Sequence, residues 1–121
     1  MKGTANMLDE LPNDSDGNAL RQLVLDGSDL SKPLSVDFAV DVPDGDTART
    51  VATAVSPLGF QPDCYYDAES NSWSCYCTKT IIPTYDLVVA IQRQLDDVSR
   101  PFGGKSDGWG SFGNATGPKA K

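Results

Sequence analysis

Histidine is absent from this chain, and glutamate occurs only at Glu10 and Glu69. Without histidine there is no Ser-His or Cys-His pair to activate a nucleophile, and no imidazole for a metal site. Cysteine is sparse as well. Cys64, Cys75 and Cys77 are odd in number, which excludes a self-contained disulfide framework and points to reduced thiols. No run approaches the roughly 18 apolar residues of a membrane span. The first ten residues lack the apolar stretch of a secretory signal. A cytoplasmic location is the expectation, with no catalytic, cofactor-binding or metal-ligating set.

What the chain does have is aspartate. Its formal charge is −7, from 17 acidic and 10 basic residues, and fifteen of the acids are Asp. Aspartate favours helix caps and turns over helix interiors. An acidic balance repels phosphate backbones, so a basic patch on another protein is the expected charged partner rather than nucleic acid. At 121 residues the chain is one domain by size and long enough for a single core.

The stretch Trp73–Lys79 organises the rest. Trp73, Cys75 and Cys77 alternate strictly with Ser74, Tyr76 and Thr78, a period of two that predicts a half-buried strand in the middle of a sheet. Before it, Asp14-Ser15-Asp16-Gly17 starts a short helix with Leu20, Leu23 and Val24 at helical spacing, ending at Gly27. Leu34–Val42 alternates again, with Val36, Phe38, Val40 and Val42 on one side and Asp37, Ala39 and Asp41 on the other. Ala48, Val51, Ala52, Val55 and Leu58 form a helical stripe closed by Gly59.

Phe60–Tyr66 is a second strand, placed at the sheet edge because Pro62 lacks an amide donor. If the turn Asp67–Asn71 centres near Glu69 and Ser70, Cys64 lies opposite Cys75 and Tyr66 opposite Trp73. Pro83 opens the longest helix, with Tyr85, Val88, Ile91, Leu95 and Val98 in its stripe, and Pro101 stops it. Asp107–Phe112 is a short last strand anchored by Trp109. The organisation expected is a flexible leader over 1–12, a single domain over 13–113 and a flexible tail over 114–121. After the first helix, strand-helix-strand-strand-helix-strand is the split β-α-β pattern. The expected class is therefore α+β: a ferredoxin-like α/β sandwich, with a four-stranded antiparallel sheet, helices on one face and an extra N-terminal helix. The open face would carry Asp37 and Asp41 beside Ser74, Tyr76 and Thr78.

Short motifs reduce to structural roles. Gly108-x-Gly110-x-x-Gly113 has the dinucleotide spacing, but only eight residues follow it, Gly117 and Pro118 among them, and the motif needs a helix there. Gly104-Lys105-Ser106 lacks the first glycine of a phosphate loop, position 99 being Ser. Asp14-x-Asp16-Gly17, aligned as a calcium loop, puts Pro12 and Leu23 where carboxylates are needed, so it is a helix cap. The acid pairs Asp14/Asp16, Asp44/Asp46 and Asp96/Asp97 are expected to be solvated charges. The three thiols are expected to be packed structural groups in an acidic surrounding that does not activate them. The segment from Asp107 to Phe112 has two readings, an aromatic plug closing the sheet or a partner surface built from Trp109 and Phe112.

In order along the chain, Asp26-Gly27-Ser28-Asp29, Gly59-Phe60, the central-strand cysteines and Asp107-Gly108-Trp109-Gly110-Ser111-Phe112 resemble the RraB family, regulators of ribonuclease E activity. The resemblance runs from about Ala19 to Asn114. It implies a ferredoxin-like sandwich with an additional N-terminal helix and a non-catalytic role: binding ribonuclease E and damping its RNA cleavage without a cofactor. Some members carry a long acidic C-terminal extension, where this sequence reads Asn-Ala-Thr-Gly-Pro-Lys-Ala-Lys. The expected partner-binding residues are Asp37, Asp41, Tyr76, Asp107, Trp109 and Phe112. The alternatives are a module of the same fold masking another basic protein, and a redox or metal protein using the cysteines.

Overall fold

A computed structural model of the protein describes residues 11–115, so ten positions of the expected leader and residues 116–121 of the expected tail lie outside it. Its elements are α1 (Ser15–Leu25), β1 (Leu34–Val42), α2 (Gly45–Val55), β2 (Gln61–Asp67), β3 (Ser72–Ile81), α3 (Tyr85–Ser99) and β4 (Lys105–Gly110). Short 3₁₀ turns, Ser56–Leu58 and Arg100–Phe102, extend α2 and α3. The strands form one antiparallel sheet in the order β2-β3-β1-β4. This is the expected α+β class, with β3 and β1 central and the proline-bearing β2 at an edge.

Side-chain alternation decides which face is covered. Leu34, Val36, Phe38, Val40 and Val42 of β1 are buried, as are Cys75 and Cys77 of β3. Against them pack Leu20 and Leu23 of α1, Ala48, Val51 and Val55 of α2, and Val88, Ile91 and Leu95 of α3. Each helix is started by a side chain that accepts from an otherwise unbonded backbone amide. Asp14 accepts from Gly17, Asp44 from Thr47, and Thr84 from Leu87.

The hairpin register is the one its turn dictates, with Cys64 opposite Cys75 and Tyr66 opposite Trp73. Three expectations are corrected. Leu58 does not belong to the buried stripe of α2. Pro57 sits in a 3₁₀ turn that swings Leu58 to the surface, and Phe60 fills the core instead, edge-on to Phe38 at 6.4 Å between ring centroids. The last strand begins at Lys105 and ends at Gly110, two residues ahead of the expected span, leaving Phe112 outside the sheet. The strand also contains a bulge. Phe38 pairs with Trp109 and Val40 with Ser106, so Asp107 and Gly108 together face the single residue Ala39. Gly108 has φ 86°, a left-handed conformation that lets the extra residue fit.

The acid pairs also divide differently from the expectation of solvated charges. Asp16 accepts from Trp109 Nε1 at 2.9 Å and from Gln92 Nε2 at 3.0 Å, joining α1, α3 and β4. Asp14 accepts from the Tyr85 hydroxyl at 2.6 Å, and Asp96 from the Ser106 amide at 3.0 Å. Gly17 lets α1 pack against the preceding chain, since a Cβ there would lie 1.9 Å from the Pro12 carbonyl oxygen.

Candidate functional site: the uncovered sheet face

Among the described residues no helix covers the second face of the sheet, and the strand register lays its residues out in rows. Gln61, Thr78, Asp37 and Gly110 form one row; Tyr65, Ser74, Asp41 and Lys105 form another. Between them run Asp63, Tyr76 and Ala39, completed by the bulged Asp107. The period of two thus sends the apolar set of each strand to the helices and the aspartates and tyrosines to this side. Tyr76 and Tyr65 are 40 % and 54 % exposed, with ring centroids 6.0 Å apart. Tyr65 donates to Asp63, which pushes the Tyr65 hydroxyl pKa up.

A groove of about 450 Å³ lies on the β4 side of this face, and Asp37, Ala39, Tyr76, Asp107, Trp109 and Phe112 line it. Of the residues expected to bind a partner, Asp41 alone lies outside the groove, one row away and opposite Lys105. Thr78 Oγ1 donates to Asp37 Oδ1 at 2.6 Å, fixing the carboxylate and leaving its second oxygen uncommitted. Among the described residues, the ion pairs join Arg49 to Asp46 and Arg100 to Asp96 and Asp97. Asp37, Asp41, Asp63 and Asp107 form none.

The two readings of the Asp107–Phe112 segment each hold for part of it. Trp109 turns to the helical side, 6.5 Å from the Phe38 centroid, and is tied to Asp16, as a plug would be. Phe112 is 98 % exposed. It is also held on both sides. Ser111 Oγ donates to the Ser35 carbonyl at 2.6 Å and accepts from the Gly113 amide, and Asn114 Nδ2 donates to the carbonyls of Asp29, Lys32 and Pro33.

Asp63 and Tyr65 were not among the residues expected at the site. The signal was present, because a hairpin that sets Cys64 opposite Cys75 must send residues 63 and 65 to the side of Tyr76.

The cysteines lie on the other face. Cys64 and Cys75 both donate to the carbonyl of Ala48, at 3.7 and 3.6 Å. Burial pushes the Cys75 thiol far up, with its neighbour Cys64 adding to the effect, and burial followed by the charge of Cys64 pushes Cys77 up to about 12. Cys75 and Cys77 are therefore protonated at neutral pH. Among the described residues no group of three or more Cys, Asp or Glu is placed to hold a metal ion, and no helix is long and apolar enough to cross a membrane.

An open antiparallel sheet with aromatic residues on a central strand is a geometry that can stack single-stranded bases. Among the described strand residues, Asp37, Asp41, Asp63, Asp67 and Asp107 share the face with a single basic residue, Lys105. Their field opposes a phosphate backbone and favours a cationic protein surface. The fold is of the α+β class, with one sheet face carrying the aspartates. No curated protein matches the chain. The family model of RraB, regulator of ribonuclease activity B, matches residues 13–111, and the chain belongs to that family. It is therefore a member of a family of regulators of ribonuclease activity rather than a family named for a reaction.

Proposed function

We propose that this chain is a cytoplasmic, non-catalytic protein that binds ribonuclease E and inhibits its cleavage of RNA through the open sheet face. The observation that carries this is the set of carboxylates, Asp37, Asp41, Asp63 and Asp107, that form no ion pair among the described residues and lie on the face opposite the described helices. Opposite potentials raise the rate of encounter and fix orientation, while like charge repels the RNA substrate itself. Inhibition then comes from occupying the nuclease, with no bond made or broken by the regulator. Membership in a family of ribonuclease regulators supports the same assignment.

The test is retention of purified ribonuclease E on the immobilised full chain at low and moderate salt, together with its rate of RNA cleavage. Retention that weakens with salt, accompanied by slower cleavage, is expected. Folded protein that retains no ribonuclease E at either salt ends the proposal. Retention of a different basic protein from the native cell in its place would assign the face to that protein.

A further inference from the structure

The groove beside β4 combines features that together select among cations. It has a partly exposed aromatic ring in Tyr76, carboxylates in Asp37 and Asp107, and the fully displayed ring of Phe112 at its rim. We infer, on the strength of the face being the partner surface proposed above, that this groove takes an arginine side chain presented by an extended segment of the partner and prefers it to lysine. A guanidinium is planar and weakly hydrated. It stacks on a tyrosine ring while donating to carboxylate oxygens at its edge. An ammonium is a compact, strongly hydrated ion that gains less from a ring and offers no fork.

The local structure suits the planar ion. Asp37 is held by Thr78 with one oxygen uncommitted, and Asp107 stands on the bulge, displaced by Gly108 from the regular spacing of the strand. Asp107 forms no ion pair among the described residues. Phe112 supplies an apolar wall for the methylene stem. Its backbone is already fixed by the anchors at Ser111 and Asn114, so little ordering entropy is lost on binding. RNA is disfavoured by the carboxylates. A second copy of the chain would oppose one acidic face to another.

The experiment titrates the isotopically labelled full chain with two capped heptapeptides by amide chemical shift. One carries two arginines in a Gly/Ser background, the other two lysines at the same positions. The expected result is movement of the Ala39, Tyr76 and Gly110 amides, with the arginine peptide bound about three- to fivefold more tightly. Tyr76→Phe should keep that ratio, because the ring remains, and Tyr76→Ala should bring it close to one. Asp37→Asn combined with Asp107→Asn should weaken both peptides.

Equal affinity of the wild-type chain for the two peptides overturns the inference, as do shifts centred elsewhere or no shift at all. The same amides moving on concentration of the protein alone, or with an oligouridine in place of the peptides, would give the face to a second copy or to RNA and also overturn it. The two levels separate cleanly. Ribonuclease E retained and inhibited by a chain indifferent to arginine leaves the proposed function standing and removes only the arginine preference. Arginine selectivity in a chain that ignores ribonuclease E does the reverse.

Discussion

The indole nitrogen of Trp109 donates to Asp16 Oδ1 at 2.9 Å across 93 positions of sequence. Gln92 donates to the same oxygen, so one carboxylate near the start of α1 fixes the last strand and the longest helix. Removing the donor while keeping most of the apolar area isolates the hydrogen bond. Trp109→Phe is expected to cost about 1–2 kcal/mol in urea unfolding, and Trp109→Ala about 3 kcal/mol because packing on Phe38 is lost as well. A cost near zero for Trp109→Phe would mean that the bond contributes nothing.

Gly108 should tolerate side chains for lack of space problems but not for backbone reasons. Nothing lies within 4 Å of a Cβ placed there, yet φ is 86°. Gly108→Ala is therefore expected to destabilise by about 1–2 kcal/mol, and Gly108→Asn by less. Gly17→Ala should be worse than either, because its Cβ would meet the Pro12 carbonyl at 1.9 Å. Thermal unfolding of the three variants checks the order.

Alkaline pH should weaken the fold through the buried thiols. In the folded state Cys75 and Cys77 have raised pKa values, Cys77 up to about 12, against 9.0 as the ordinary value. Their contribution is fully present below about 9 and is lost as pH rises from there through the folded-state values, because the unfolded chain ionises first. Urea midpoints taken between pH 8 and 11 should fall, and a Cys75→Ala, Cys77→Ala chain should show a flatter profile. Identical slopes in the two chains would remove the thiols from the account.

Acid should act at the caps. Asp14 is held below the ordinary carboxylate value by the Tyr85 hydroxyl and the Gly17 amide, and Asp44 by Thr47. Asp96 is lowered by the Ser106 amide and then by Arg100. A depressed folded pKa stabilises above the unfolded value, near 4, and that stability disappears as pH falls through the folded value. Unfolding midpoints should therefore drop below about pH 4, and less so in Asp14→Asn. An unchanged acid slope in that variant would contradict the cap's role.

Much of this architecture was legible in the sequence because it is governed by short periods. The alternation of Val36, Phe38 and Val40 gave the buried face of β1, and the short turn at Asp67–Asn71 fixed Cys64 against Cys75. Where the outcome depended on chain segments far apart, residue type alone was insufficient. Nothing local to Asp16 distinguishes a surface carboxylate from one that accepts an indole 93 positions away. The ends of β4 were misplaced, and a bulge at Gly108 breaks the period of two within it. Leu58 fits the helical stripe by spacing, but Pro57 tightens the chain there and exposes it. At the candidate site, Asp37, Tyr76 and Asp107 could be placed from alternation and order, whereas the contribution of Tyr65 required following the hairpin register one strand further.

The most direct measurement compares two charge-matched triple variants for affinity to ribonuclease E at constant ionic strength. One neutralises the open face with Asp37→Asn, Asp41→Asn and Asp107→Asn. The other neutralises carboxylates on or capping the helices with Asp26→Asn, Asp46→Asn and Asp86→Asn. The face variant is expected to bind about tenfold more weakly or worse, and the helix variant within about twofold of wild type. Equal losses in both, or a greater loss in the helix variant, would contradict the open sheet face as the regulatory surface.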